Sequence, residues 1–130
     1  PHSGKFRFAY FTKFYNTTCD FYARLLGLQI ALSWDRNEND KGSVFQIGKG
    51  LIEVLLLPNK DVMQNEGLDY RAPQGAFMVI HVEDIDSLFR QFKTKGVPFK
   101  QEIVNQPWGH RSFSVIEPNG LVLLFVQDQE

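Results

Sequence analysis

Two stretches of this chain carry the same signals in the same order. Phe21…Gly27 is echoed by Phe89…Gly96, and Gly50–Leu51 by Gly120–Leu121, at offsets of 68 to 70 residues. Each half reads strand–helix–strand–strand–strand. Two copies do not make a solenoid, which needs three or more stacked units, and 130 residues suit a single domain. The pattern predicts an α+β fold: one domain of two such modules in pseudo-twofold arrangement, with curved mixed sheets around a cleft. Module one is expected at about 5–57 and module two at about 75–127, with a linker over 58–74.

The individual elements follow from periodicity and punctuation. Phe6 to Phe11 reads as a strand. Thr17 and Asp20 fit a capping box, so a helix is expected from about Thr18 to Leu26, closed by Gly27 as a left-handed cap. Leu28, Ile30, Leu32 and Trp34 alternate with polar or small residues, which predicts a half-buried strand. A polar hairpin loop over 36–42 leads to strands at 43–47 and 51–57, the second stopped by Pro58. The stretch 58–74 is long and polar, a linker or a functional loop. In the second half, Asp84 can cap a helix bearing Ile85, Leu88, Phe89 and Phe92 on one face, with Gly96 after its end. Strands are expected over 75–82, 97–104, 111–116 and 121–127, the last two joined by the turn Glu117–Pro118–Asn119–Gly120.

Composition narrows the functions open to such a chain. The formal net charge is −1, which provides no field to attract a phosphate backbone, so no nucleic-acid partner is expected. No apolar run approaches the ~20 residues of a membrane helix, and the first residues lack a charged-then-apolar leader pattern. The single cysteine, Cys19, cannot form an internal disulfide or a thiolate zinc site, and it suits a reducing, cytoplasmic setting. It is read as structural, having no base beside it in sequence. The segment Pro1–Gly4, His2 included, is given no functional weight. Of the 18 aromatic residues, eight fall between Phe6 and Tyr22. That crowding fits a core, a flat-sided ligand cavity or a subunit interface.

Four motifs sit in order on the repeat: Phe21–Tyr22…Leu25–Leu26–Gly27–Leu28, Val82–Glu83–Asp84–Ile85–Asp86, Pro107–Trp108–Gly109–His110–Arg111–Ser112–Phe113, and Glu117–Pro118–Asn119–Gly120. In these residues and in its two-module plan, essentially the whole chain resembles the vicinal oxygen chelate superfamily, which includes glyoxalase I, bleomycin-resistance proteins, fosfomycin-resistance enzymes and extradiol dioxygenases. The resemblance implies the paired-module fold but no single activity, because that superfamily hosts enzymes and non-enzymatic binders.

Catalytic members of the superfamily hold a divalent ion with His, Gln or Glu from the first and last strands of each module. Those positions fall here at about Arg7 or Phe8, Glu53, Phe77 and Leu124. Only Glu53 can donate to a metal, so neither a metal nor another cofactor is expected, and no catalytic residue is assigned. Glu53 lies within an apolar strand. It either lines a wet cavity, as the resemblance implies, or pairs with Arg7 or Arg111. His81 shares a strand face with Phe77 and is read as a cavity-lining polar group or as a histidine bonded to backbone. Trp108 reads as a stacking wall. Arg111 reads as a charged handle or as a residue tied to Glu117 or Glu102, and Phe113 is expected on the same side as Arg111.

These readings converge on a binding protein of the bleomycin-resistance type. It would sequester a small aromatic or planar molecule, a cation among the options, in a cleft formed by Glu53, Phe77, His81, Trp108, Arg111, Phe113 and Leu124. A homodimer is expected. The alternatives are a glyoxalase- or dioxygenase-like enzyme with displaced ligands, or one using His81 and Glu53 as acid and base, and a ligand-sensing or partner-binding module.

Overall fold

A computed structural model describes residues 4–128; Pro1, His2 and Ser3, within the segment given no functional weight, lie outside the described residues. The chain divides into two compact units, with the boundary between Pro73 and Gln74. Each unit holds one four-stranded sheet with a helix packed against it.

The first unit contains β1 (Arg7–Thr12), α1 (Tyr15–Asp20), β2 (Gln29–Asn37), β3 (Asp40–Ile47), β4 (Gly50–Leu56) and α2 (Lys60–Asn65). Its strand order is β1-β4-β3-β2, with β1 parallel to β4 and the other pairs antiparallel. The second unit repeats the plan with β5 (Phe77–Val82), α3 (Ile85–Thr94), β6 (Phe99–Asn105), β7 (Arg111–Ile116) and β8 (Val122–Gln127), in the order β5-β8-β7-β6. Both sheets are mixed and open, and register shifts in β2 and β6 curve their edges. The fold class is α+β, as the repeat predicts.

Aromatic packing fixes each helix to its sheet. In the first unit Tyr22 is fully buried. It hydrogen-bonds Tyr10 at 2.8 Å between hydroxyls and packs its ring on Phe45. In the second, Phe113 is fully buried among Phe89 and Phe92 of α3, Phe99 of β6 and Phe125 of β8. Side chains alternate across a strand, so Tyr10, Phe45, Phe113 and Phe125 mark the helix side of each sheet. Their sequence neighbours face the other way.

Four local expectations need correcting. The first helix starts at Tyr15 rather than Thr18, and Phe14 occupies the capping position with no side-chain cap. Asp20 instead takes a hydrogen-bonded ion pair from Arg24, one turn on. From Phe21 to Leu25 the helix widens to π geometry, with the Leu26 amide bonded to the Phe21 carbonyl five residues back. It ends at Gly27, whose φ of 70° makes it the expected left-handed cap. The strand β2 is not half-buried: Ile30 and Leu32 are both about half exposed. An irregularity at Ala31 sets Ile30 opposite Phe45 but Leu32 opposite Val44, which breaks the alternation. The expected loop over 36–42 shrinks to a tight turn between Asn37 and Asp40. The linker over 58–74 contains a helix, α2, capped by Asn59, whose side chain accepts from the Val62 amide at 2.9 Å.

Two polar devices hold the second unit. The Glu117 carboxylate is buried and accepts from the amides of Asn119 and Leu121, at 2.5 and 2.9 Å, and from the Asn119 side chain at 2.8 Å. It thereby shapes the turn between β7 and β8. Arg111 reaches across to α3 and grips Asp86 through Nε and Nη2, at 3.1 and 2.7 Å. That hydrogen-bonded pairing holds the Asp86 carboxyl below its ordinary range. In the first unit, burial pushes the Cys19 thiol above its ordinary value beside Tyr15 and Ser43, which disfavours the nucleophilic thiolate. Among the described residues no helix is long and apolar enough to cross a membrane.

Replacing Glu117 by Ala leaves buried amides without an acceptor. It is expected to lower the unfolding free energy by about 1–3 kcal/mol in urea titrations, and Glu117→Gln, which keeps one acceptor, by less. Arg111→Ala is expected to return the Asp86 titration, followed by carboxyl NMR shifts, upward toward the ordinary range. Because the folded-state value is depressed, this pair contributes at neutral pH and its contribution is lost as pH falls through that lowered value. The pair is exposed, so the effect on stability is small.

Candidate functional site

The two sheets correspond row by row on the faces turned away from their helices. Arg7 lies opposite Leu51 as Phe77 lies opposite Val122, and Ala9 opposite Glu53 as Val79 opposite Leu124. Arg7 and Phe77 therefore occupy one equivalent position, and Glu53 and Leu124 another. These are the four positions at which the resemblance implies metal ligands.

The donor chemistry at these positions does not fit a divalent ion. Phe77 and Leu124 offer no lone pair. In the first unit the Arg7 guanidinium donates to the Glu53 carboxylate at 3.0 Å, so a fixed positive charge stands beside the single possible ligand. Among the described residues no group of three or more His, Cys, Asp or Glu could hold a metal ion. Of the two arginines expected as partners for Glu53, Arg7 is the one that pairs.

The remaining candidate residues divide between the two faces of the second sheet and the turn before β7. Phe77 is 64% exposed on the far face of the second sheet, where Leu124 is half-buried. His81 lies two rows further along that face, with Nδ1 3.9 Å from the Asp128 carboxylate. Trp108 stands 67% exposed in the turn between β6 and β7. Arg111 and Phe113 do share a side, but it is the helix side. Arg111 is tied to Asp86 rather than to Glu117 or Glu102, and Phe113 is core. Its burial against the rings of α3 rules out a cavity wall at Phe113.

A concave site lies on the far face of the first sheet. One cross-strand row there runs Phe11, Leu55, Gly42, Trp34. Gly42 makes the row possible: a Cβ at that position would meet Trp34 Cζ2 at 2.1 Å, so the indole ring sinks against the backbone. The ring is held by Asp40, which accepts from Trp34 Nε1 at 3.2 Å and from Arg36 Nη1 at 3.2 Å, and by the Arg36 guanidinium 5.6 Å from its centroid. Tyr70 stacks on Phe11, with centroids 4.0 Å apart and planes at 10°. These rings, with Leu55, Val62 and Leu68, line a depression of about 570 Å³ rimmed by Arg36, Asp40, Lys41 and Glu66.

The equivalent row of the second sheet is His81, Val126, Ser112, Val104. It has no benzene or indole ring, and its serine is bonded to Gln106 at 3.0 Å. The aromatic hollow thus belongs to the first module, whereas the motifs point to the surroundings of Trp108 in the second. The glycine opposite Trp34 was the available signal, but it becomes visible only once the register of β2 and β3 is known.

No curated protein sequence matches this chain. Solved structures do. TioX from Micromonospora sp. ML1 superimposes with a TM-score of 0.74 at 17% identity, over 98% of this chain and 100% of that one. A glyoxalase/bleomycin resistance protein/dioxygenase from Alicyclobacillus acidocaldarius gives 0.70 at 20% identity, over 98% and 93%. Lactoylglutathione lyase from Agrobacterium tumefaciens gives 0.67 at 17% identity, over 98% and 95%. At these identities the likeness establishes the fold. A family model matches residues 6–125, and the chain belongs to the Glyoxalase/Bleomycin resistance protein/Dioxygenase superfamily.

Proposed function

We propose that this chain binds a small, planar, uncharged aromatic molecule without metal and without chemistry, in the depression of the first module. The observation that carries this reading is the Arg7–Glu53 pair at 3.0 Å. It puts a cation and its counter-ion where the superfamily's enzymes gather ligands for a cation. The aromatic row beside it supplies what small-molecule sites use: apolar walls and a few polar groups at the rim.

The same pair bears on the charge of the guest. Glu53 is the counter-charge that a cationic ligand would need, and Arg7 neutralises it. Around the depression two cations, Arg36 and Lys41, balance two carboxylates, Asp40 and Glu66. Neither sign is favoured, so the cationic option loses its support and a neutral ring system fits best. The acid–base alternative loses support as well, because Glu53 is engaged by a guanidinium. Lactoylglutathione lyase is by its name an enzyme, and it shares this fold, but the pairing of Arg7 with Glu53 favours binding here.

The chain is also read as a homodimer, supported by the exposed apolar side chains Ile30, Leu32, Phe77 and Val79. Light scattering at micromolar concentration tests this, and a monomer removes that part of the reading.

Calorimetric titration with 2-naphthol, 9-aminoacridine and 2-naphthoate is expected to rank the neutral compound first. Binding should survive dialysis against chelator, with no stoichiometric divalent ion by elemental analysis. Trp34→Ala is expected to weaken 2-naphthol binding roughly two- to tenfold, the worth of one aromatic stack, while Trp108→Ala leaves it unchanged. Stoichiometric zinc, nickel, iron or manganese, with binding lost on its removal, would sink the proposal.

A further inference from the structure

The depression is closed on one side by a segment that adds no strand to the sheet. Residues 58–74 leave β4, form α2 and return, and α2 has no buried residue. Two specific contacts tie it, besides the buried Pro58 at its start and the half-buried Val62, Met63 and Leu68. At its start the Asn59 amide donates to the Asn39 side chain at 2.8 Å, in the β2–β3 turn. Near its far end Tyr70 stacks on Phe11. Between these ties Val62 and Leu68 line the hollow.

The Tyr70 stack has the geometry of a bound aromatic ligand. Its ring is nearly parallel to Phe11, and the 4.0 Å between centroids leaves no room for another ring between them. Phe11 is held in β1 by its pairing with Leu55. Tyr70 is partly exposed and is carried on a segment whose helix has no fully buried residue. A planar guest that uses Phe11 therefore has to move Tyr70 first.

Resting on the function proposed above, we infer that Tyr70 is an internal competitor: a planar aromatic guest binds by replacing the Tyr70 ring on Phe11, and the 58–74 strap releases as it does so. The strap is then both the gate of the site and the reporter of its occupancy. An aromatic stack is a modest interaction, and apparent affinity is reduced by the fraction of molecules in which the site is blocked. Removing the Tyr70 ring should therefore raise affinity roughly two- to tenfold. A wall that clasps the guest would behave in the opposite way.

The test uses the full chain and 2-naphthol. Calorimetry should show tighter binding for Tyr70→Ala than for wild type, and wild-type affinity for Tyr70→Phe, which keeps the ring. Phe11→Leu should bind more weakly than wild type. Trypsin cleavage after Arg71, next to the stack, should accelerate when 2-naphthol is added to wild type. In Tyr70→Ala it should be fast without the ligand. Weaker or unchanged binding by Tyr70→Ala, or protection of Arg71 by 2-naphthol, overturns the competitor while leaving the binding function standing. Binding by neither wild type nor Tyr70→Ala overturns both. Equal cleavage of the two proteins without ligand also removes the inference, because the stack would then not hold the strap.

Discussion

Each sheet is packed by a helix on one face, and the pleat does the rest. Once Tyr10, Phe45 and Tyr22 lock together in the first module, and Phe113 with its ring of phenylalanines in the second, alternate residues are committed to the core and their neighbours to the other side. The stability of the module rests on the first set. The second set varies more in chemistry between the modules, although Val44, Ser112, Ser114 and Val126 on that side are buried as well. That separation explains how one architecture can carry a metal site in some proteins and, here, an arginine–glutamate pair beside a row of aromatic rings.

Because β1, β3 and β4 pair to the residue as β5, β7 and β8 do, and only the irregularities of the edge strands β2 and β6 fall differently, the differences between the modules are informative. Arg7 corresponds to Phe77, Glu53 to Leu124, Phe11 to His81 and Trp34 to Val104. One module has a charged pair and an aromatic floor. The other has an exposed apolar strand and a row of His81, Val126, Ser112 and Val104. The concave site follows from Gly42, where the lack of a Cβ lets an indole lie against the backbone.

Much of this is legible in the residues. The repeat, its strand–helix–strand–strand–strand order, the end of the first helix at Gly27, the Asp84 cap and the turn after Glu117 all rest on local signals. The positions 7, 53, 77 and 124 come from the family resemblance, and the strand register confirms that they pair off between the modules. Other features need tertiary information. The irregularity at Ala31 changes which side of β2 faces the helix, and no local pattern announces it. Arg111 finds Asp86, 25 residues away, because α3 crosses the sheet there. Alternation puts Phe113 on the correct side of its strand relative to Arg111, but it does not say which side carries the helix. The α2 strap is too polar to show an amphipathic stripe, and its capping Asn59 is a weak signal by itself.

The parallel pairing of β1 with β4 has a consequence for biosynthesis. On the ribosome, β1 emerges first and carries Phe8, Tyr10 and Phe11, yet its partner in the sheet begins only at Gly50. The β2–β3–β4 meander can zip through short turns, whereas β1 must wait for a long-range closure. Until then the nascent chain displays an aromatic strand with an unpaired edge, the kind of segment that chaperones recognise and that aggregates when they are absent. The second module meets the same delay with β5 and β8, but it begins with a folded neighbour already attached to its N-terminus.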